Sequence, residues 1–530
     1  MPSENRKRLL RLDLFAFISV LLANALLIVW YYSGLSLHDL EVYYFNADTL
    51  YLPSLYVDLF QYGNSLEGWT LNASPNFFPD MGIYFFIMLF TDNLLLAAVI
   101  FSIVQYLIIA IGIFGITSVL LPERRWLSAT LINCLFTPIL FIGNAPFVFQ
   151  FLANAYHLGA FVNALLAWNL LLRLDRGKVL HWVALFVLVV LAAFSDKLFH
   201  VIFTVPALVS WFLLDRKGAE RGWFLIFWVG TASWLASLLY KGFQKNVGTV
   251  FAETLELPRL DFIGSSFEIF WYQVSTYLFE LNLLSAFLIF CIVALLVVAF
   301  FGIRTLLSKT KGDDLKALWS LIMPGSMLLA FLTPPLLGSY VGWDSIRYNF
   351  AFFTIAPIAA GIYLSYCIGQ RNAWIIRVVP VLLLAISITL LVLPNSNERT
   401  LAQYLEYYPE TVSKIDEKAH LFGSRYGIAD YWDAKVITLF SKKGLRVYAA
   451  FPDIACYEHV ANKHWFRRSM EDPNTPANFS FFIPNHHMPL DSVTAEVVKM
   501  GKVISKDPLI IETLPFKYVP EHRMPVKLEE

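Results

Sequence analysis

The chain has 530 residues, of which 58% are hydrophobic and only 15% charged, and its mean hydropathy is +0.59. A soluble globular chain is roughly 45–50% apolar and about 25% charged. The excess of apolar residues, concentrated in long runs, therefore predicts a polytopic α-helical membrane protein. The 40 Lys and Arg residues balance 40 Asp and Glu residues, and no basic patch or motif supports nucleic acid as a partner. The four cysteines show neither metal nor redox spacing.

The first apolar run follows a basic N-terminus, MPSENRKRLLRLD. A signal peptide is the alternative, but the run is long and no small-residue cleavage site is evident, so we expect an uncleaved first span. Later apolar runs are separated by short connections that carry clusters of Lys and Arg. The positive-inside rule places these clusters in the cytoplasm. They are Arg6–Lys7–Arg8, Arg124–Arg125, Arg173–Arg176–Lys178, Arg216–Lys217–Arg221, Arg304–Lys309–Lys311–Lys316 and Arg371–Arg377.

Cytoplasmic basic clusters require the spans between them to occur in pairs, which predicts about eleven transmembrane helices. The run MGIYFFIMLF (81–90) is too short to span, so we expect it to lie along the outer surface or to re-enter. The N-terminus is then cytoplasmic and the C-terminus outside. The predicted spans are 14–32, 94–121, 127–143, 157–173, 181–195, 199–214, 223–240, 283–303, 317–333, 350–367 and 376–393.

Three segments are predicted to be large and outside the membrane: the loops 33–93 and 241–282, and the chain from 395 to 530. Residues 1–394 thus form a transmembrane domain. The tail is charged and turn-rich, and we expect a small extracytoplasmic α+β domain. No internal repeat is present, which disfavours transporters built from two equivalent halves. The stretches predicted as strands are KVITLF (435–440), GLRVYAAF (444–451), FSFFIP (479–484) and PLIIETL (508–514).

Asp48 lies shortly after the first span, in FNADTLYLPSLYVDLF (45–60), among aromatic residues. A charge close to hydrocarbon is costly, so a carboxylate at this place is a functional candidate. An interfacial acid in a solvated loop is the alternative.

Four segments, in the order in which they occur along the chain, resemble segments of the GT-C membrane glycosyltransferases. These enzymes use a lipid-phosphate-linked sugar as donor. This family includes the protein O-mannosyltransferases and the aminoarabinose transferases that modify lipid A. The resemblance covers roughly residues 10–395. The segments are NADTLYLPSLYVDLF (46–60), SPNFFPDMGIYFFIMLF (74–90), FSDKLFHVIFTVPALV (194–209) and DSIRYNFAFFTIAPIAA (344–360).

This resemblance implies an inverting glycosyltransferase that moves a sugar from a polyprenyl-phosphate donor at the outer face of the membrane, with Asp48 as general base. Arg347, beside Tyr348 at the mouth of a late span, is the predicted phosphate ligand, because a guanidinium offers two parallel donors. A snorkelling arginine or a pair with Asp344 is the alternative. The other predicted substrate-binding residues are Lys197, His157, Lys241, Lys245, Arg259 and Asp80.

Each of these residues also has a structural explanation. Lys197 is adjacent to Asp196 and could form a salt bridge with it, loop cations are usually solvated, and a lone histidine is commonly structural. Trp69, Trp271 and Trp343 could stack on sugar or anchor the chain at the interface. Asp39, Glu41, Asp58 and Asp80 remain as alternative bases.

The segment GNAPFVFQFLANAYHLG (143–159), which corresponds to the second outer loop of the GT-C enzymes, contains no Asp or Glu. We therefore expect no two-carboxylate metal site, a metal-independent reaction and no cofactor. The expected partners are the lipid-linked sugar donor, membrane lipids and a lipid, glycan or protein acceptor of the cell envelope. A bacterial inner membrane is the expected location. The alternatives are a transporter or flippase for a lipid-linked sugar, and a non-catalytic scaffold that displays the C-terminal domain.

Overall fold

The computed structural model describes residues 3–142, 144–174, 179–215, 221–245, 247–249, 260–307, 315–368, 373–392, 406–469, 472, 474–485, 501–518 and 525–527. Helices dominate the described chain up to Val392, and a small mixed sheet with flanking helices follows Glu406. The helical part lies within residues 1–394 and the sheet part within residues 395–530.

The longer helices are numbered in chain order. They are α1 Ser3–Gly34, α2 Tyr51–Tyr56, α3 Gly82–Met88, α4 Leu94–Leu120, α5 Arg125–Phe136, α6 Ala145–Leu152, α7 Leu158–Leu171, α8 Val179–Ser195, α9 Val205–Asp215, α10 Arg221–Gln244, α11 Ile263–Phe279, α12 Leu283–Leu307, α13 Leu315–Leu336, α14 Phe350–Cys367, α15 Ala373–Val392, α16 Glu410–Lys418 and α17 Tyr431–Phe440.

Within the described ranges, six helical segments are long and apolar enough to cross a membrane. This is compatible with a multi-pass membrane protein. The other predicted spans, 127–143, 157–173, 181–195, 199–214 and 223–240, coincide with α5 and α7–α10, which are shorter or less apolar. Eleven crossings therefore stay a prediction. The six segments are Arg8–Gly34, Leu94–Leu120, Leu283–Leu307, Ala317–Leu336, Ser345–Cys367 and Ala373–Val392.

A buried hydrogen-bond network joins three elements of the helical domain. Asn24 of α1 donates to the Tyr106 hydroxyl of α4 at 2.8 Å, and that hydroxyl donates to Asn133 of α5 at 3.0 Å. Thr137 donates to the Asn24 side-chain oxygen at 2.9 Å. Polar groups inside an apolar bundle need such partners, and these bonds tie α1, α4 and α5 together.

The loop after α1 consists of short helical turns instead of extended chain. A turn at Leu37–Asp39 leads into a π-helical stretch, Leu40–Tyr44, and α2 runs into a second one, Val57–Gln61. Asn46 organises the turn between them, because its side-chain oxygen accepts the backbone N–H groups of Asp48 and Thr49 at 3.0 and 3.1 Å. This turn places Asp48 at the end of the bundle that faces the C-terminal domain.

The C-terminal domain is built on a six-stranded sheet, whose strands are β3 Tyr426–Ala429, β4 Arg446–Ala449, β6 Phe479–Ile483, β7 Lys502–Lys506, β8 Leu509–Tyr518 and β9 Pro525–Lys527. The strand order is β4-β3-β6-β8-β7, and β9 also pairs with β8. Strands β4, β3 and β6 are mutually parallel, and β8 is antiparallel to its neighbours.

Three of the four predicted strands are confirmed, and KVITLF (435–440) is wrong because it belongs to helix α17. Its β-branched residues favour a strand, but tertiary packing overrides such propensity. Asp430 caps the helix by accepting the Asp433 N–H at 3.0 Å. Ala434 and Ile437, three residues apart, then lie on one helical face and are buried against the sheet.

The two domains are joined by backbone pairing and by one buried carboxylate. Strand β1, Trp69–Leu71, lies between β2, Gly248–Thr249, and β5, Ala461–Asn462 of the C-terminal domain. Next to this small sheet, Asp58 is fully buried and accepts four side-chain hydrogen bonds. The donors are Asn64 at 2.7 Å, Trp69 at 2.6 Å, Asn462 at 2.9 Å and Trp465 at 2.6 Å.

Candidate functional site

A cavity of about 560 Å³ lies between the helical domain and the C-terminal domain. Three parts of the helical domain form one wall: the loop after α1, the α6 region and Arg347. Helices α16 and α17 and residue 485 form the other. The lining residues are His38, Glu41, Val42, Tyr43, Phe45, Asn46, Asp48, Pro146, Phe149, Gln150, Tyr156, Arg347, Pro409, Thr411, Val412, Trp432, Asp433, Val436, Ile437 and Asn485.

Asp48 is half-buried on the wall of this cavity. Its Oδ1 atom accepts a hydrogen bond from the Tyr431 hydroxyl at 2.6 Å, and Lys435 donates to the carbonyl of the preceding residue, Ala47, at 2.9 Å. Within the described residues, no hydrogen bond is formed to Oδ2. The carboxylate therefore keeps one oxygen available to a ligand in the cavity.

Arg347 reaches the same cavity from a 3₁₀ turn, Trp343–Asn349, that precedes α14. Its guanidinium lies over the ring of Tyr156 at 5.8 Å and over that of Tyr348 at 5.2 Å. It also donates to the Tyr348 hydroxyl at 3.3 Å. These two cation–π contacts and the hydrogen bond to Tyr348 restrict the position of the guanidinium.

The cavity is lined by charged side chains of both signs. Asp48 and Arg347 attract each other electrostatically, but they form no ion pair at contact distance. Glu41 lines the same space, and burial raises its pKa; His38 lowers it, and Glu410 and Asp433 add to the increase. The cavity thus has a carboxylate and a guanidinium among its lining groups.

His157 and Asp196 form a second polar group beside this cavity. His157 Nδ1 lies 2.7 Å from Asp196 Oδ2, and the imidazole packs against the ring of Tyr348 at 5.6 Å. Asp196 also accepts the Ser74 hydroxyl at 3.2 Å and the Leu198 N–H at 2.9 Å. His157 is not among the cavity-lining residues, but its neighbour Tyr348 accepts a hydrogen bond from Arg347, which lines the cavity.

Asp80 is buried behind this group. One carboxylate oxygen accepts the Ala155 N–H at 3.1 Å, and the other has no hydrogen-bond partner within the described residues. Burial raises the pKa of Asp80 to about 7; the Ala155 N–H lowers it, and the charge of Asp196 raises it further. Asp80 lies outside the cavity, and a role in substrate binding stays a prediction.

The remaining predicted cations are placed away from the cavity or are not described. Lys197 is exposed, with its ammonium 5.0 Å from the ring of Tyr240. Asp196 pairs with His157, and no salt bridge between Lys197 and Asp196 is found among the described residues. Lys241 and Lys245 are exposed at the end of α10. Arg259 and the side chains of Trp343 and Asp344 lie outside the described residues.

Two of the three predicted sugar-stacking tryptophans are described, and neither lines the cavity. Trp69 is buried and hydrogen-bonded to Asp58, whereas Trp271 is 66% exposed on α11. Trp432, which sequence reasoning did not select, lines the cavity and is 42% exposed. Within the described residues, no group of three His, Cys, Asp or Glu side chains is arranged to hold a metal ion.

The residues that sequence reasoning missed come mainly from α17: Tyr431, Trp432 and Lys435. The stretch 424–451 is dense in aromatic and charged residues, which is a signal for a binding surface but does not select these three. Comparison with protein-family models, with curated proteins and with solved structures finds no match.

Proposed function

We propose that this chain is a membrane glycosyltransferase that transfers a sugar from a polyprenyl-phosphate donor to a hydroxyl or amine acceptor. The observation that carries this proposal is that Asp48 and Arg347, which lie about 300 residues apart in the sequence, line the same cavity. A base and a phosphate ligand facing one space are the two groups that this reaction needs. The similarity of four segments to GT-C enzymes supports the same chemistry.

In the proposed reaction, Arg347 holds the phosphate of the donor and Asp48 faces the acceptor. The acceptor oxygen or nitrogen attacks the anomeric carbon as the bond between that carbon and the phosphate oxygen breaks. Asp48 takes the acceptor proton, and the electron pair of the broken bond leaves on polyprenyl phosphate, whose charge Arg347 stabilises. Attack from the side opposite the leaving group inverts the anomeric centre.

The test replaces Asp48 by asparagine, which keeps the shape and removes the basicity. General-base catalysis contributes about 10²–10⁴-fold, so Asp48→Asn should lower transfer by at least about a hundredfold at normal expression. Mass spectrometry of cell-envelope glycans compares cells that carry the wild-type gene, the variant or no gene.

Asp92→Asn is the matched control, because Asp92 is an exposed acid that lies before α4 and does not line the cavity. This variant should restore the glycan like the wild type. Restoration of the glycan by Asp48→Asn would show that Asp48 is not the base.

A further inference from the structure

Helix α17 of the C-terminal domain contacts the segment around Asp48 at two successive turns. Tyr431 opens the helix and donates its hydroxyl to Asp48 Oδ1 at 2.6 Å. Lys435, four residues later and therefore on the same helical face, donates to the Ala47 carbonyl at 2.9 Å. The Lys435 ammonium also lies 4.7 Å from the centre of the Tyr431 ring. Both the carboxylate and the peptide before it are thus held by one element.

The ring of Tyr431 is itself fixed by aromatic neighbours in its own domain. Tyr457 and His459 meet it edge-on, with ring centres 5.4 and 5.0 Å away. Burial lowers the pKa of His459 to about 4; Lys435 lowers it further, whereas Asp48 raises it, so the imidazole is neutral near pH 7. The uncharged rings of Tyr457 and His459 therefore hold the phenol in place, with its hydroxyl directed at Asp48 Oδ1.

The phenol is also kept in its donating form. Burial raises the pKa of Tyr431, and the charge of Asp48 and the hydrogen bond to it raise it further. A hydroxyl–carboxylate bond of about 2.5–2.7 Å belongs to the strong, charge-assisted class. Tyr431 is consequently a permanent donor to Asp48 at physiological pH.

We propose that Tyr431 is a positioning residue for Asp48: its hydroxyl occupies Oδ1 and directs Oδ2 toward the acceptor. This inference rests on the proposed function, in which Asp48 is the base. It assigns to the C-terminal domain a part in the site itself, because the acid in the helical domain is oriented only when α17 is docked against it.

The hydrogen bond is tested without any sugar substrate. A 3-fluorotyrosine is incorporated at position 431, and its titration is followed by ¹⁹F NMR in the full-length protein. Replacing the charged acceptor by Asp48→Asn should lower the pKa of the probe by about one unit or more, because the anion that favours the protonated phenol is gone. Glu41→Gln, which removes another acid of the same cavity, should leave it unchanged. An unchanged probe pKa in Asp48→Asn overturns the proposal.

A second probe position keeps this test decisive if Asp48→Asn does not fold. Tyr457 is influenced by the charge of Asp48, which adds to the effect of burial in raising its pKa, but it does not donate to that carboxylate. In the otherwise unchanged protein, the probe at 431 should titrate at higher pH than one at 457. The reverse order contradicts a hydrogen bond from Tyr431.

The positioning role is separated from the proposed function by a kinetic readout. With the identified donor and acceptor, Tyr431→Phe should lower kcat about tenfold with little change in KM, whereas Tyr457→Phe should behave like the wild type. Loss of transfer in Asp48→Asn combined with a wild-type kcat in Tyr431→Phe overturns the positioning role and leaves the proposed function standing. Wild-type transfer in Asp48→Asn overturns the proposed function, while the titration still reports on the hydrogen bond.

Discussion

At the scale of single residues, two carboxylates ten positions apart have opposite environments. Asp58 is fully buried and accepts hydrogen bonds from two tryptophans and two asparagines. Asp48 accepts one side-chain hydrogen bond and faces the cavity. A carboxylate with every lone pair occupied stabilises an interface, whereas one with an unoccupied oxygen is able to take a proton. Asp58 is therefore the weaker of the candidate bases.

The prediction at the scale of single residues concerns Arg347. Its planar guanidinium lies over the rings of Tyr156 and Tyr348 and offers a fork of donors, which an ammonium does not reproduce. Arg347→Lys should therefore cost about 1.5–3 kcal/mol of transition-state stabilisation, the value of one charge-assisted hydrogen bond. Single-turnover transfer rates measure this loss.

Arg446→Lys is the matched control, because the Arg446 guanidinium lies over the Tyr62 ring at 4.6 Å without lining the candidate cavity. It should retain the wild-type rate. A wild-type rate for Arg347→Lys would identify Arg347 as a structural residue.

At the scale of elements, α17 is a helix of the sheet domain that also packs on the helical domain. Its apolar residues Ala434 and Ile437 face the sheet, while Tyr431 and Lys435 reach the segment after α1. Lys435 is 6% exposed. Burying an amine disfavours its charged form, so the docking of this helix has an electrostatic cost that depends on pH.

Burial lowers the pKa of Lys435 to about 7, although the charge of Asp48 raises it in part. An unfolded chain holds this proton up to about pH 10.4. Between about pH 7 and 10 the unfolded state therefore binds more protons, and the stability of the folded state should rise with pH by at most about 1.4 kcal/mol per unit. Below pH 7 both states are protonated, and this contribution no longer changes.

Thermal unfolding of the purified protein from pH 7 to pH 9 measures this slope. Lys435→Met keeps a long side chain and removes the titrating group, so its unfolding temperature should rise less steeply with pH than that of the wild type. Parallel curves for the two proteins would show that Lys435 does not titrate in this range.

At the scale of the whole molecule, the docked C-terminal domain fixes which end of the bundle carries the candidate site. The β1–β5 pairing and the Asp58 cluster hold the domain against the loop after α1. The distribution of Lys and Arg predicts that this end is outside the cytoplasm.

Lys443 is the suitable position for testing this orientation, because it is exposed, whereas neighbouring Ser441 is half-buried and bonded to Asp416 at 2.6 Å. In a chain whose four cysteines are replaced by serine, Lys443→Cys should react with an impermeant thiol reagent in intact cells or spheroplasts. Glu123→Cys, in an exposed turn at the predicted cytoplasmic end, should react only after lysis. The opposite pattern would reverse the predicted topology.

The amino-acid sequence by itself predicted a helical part with long apolar helices, a C-terminal part that contains strands, and Asp48 and Arg347 as candidate site residues. These features follow from local patterns: long apolar runs, a sharp change of composition, and charged residues beside predicted helix ends. These patterns do not distinguish Asp48 from Asp58, because composition does not show which hydrogen-bond donors surround a carboxylate.

Only the tertiary structure decided that Asp48 and Arg347 share a cavity, that Asp58 joins the two domains, and that KVITLF is helical. It also brought Tyr431 to Asp48 across 383 positions of the chain. Such contacts depend on how two separately folded surfaces pack, and packing over long sequence separations leaves no periodic signal in either segment. Local sequence patterns therefore select Asp48 and Arg347, whereas the docking of α17 brings Tyr431 and Lys435 to the site.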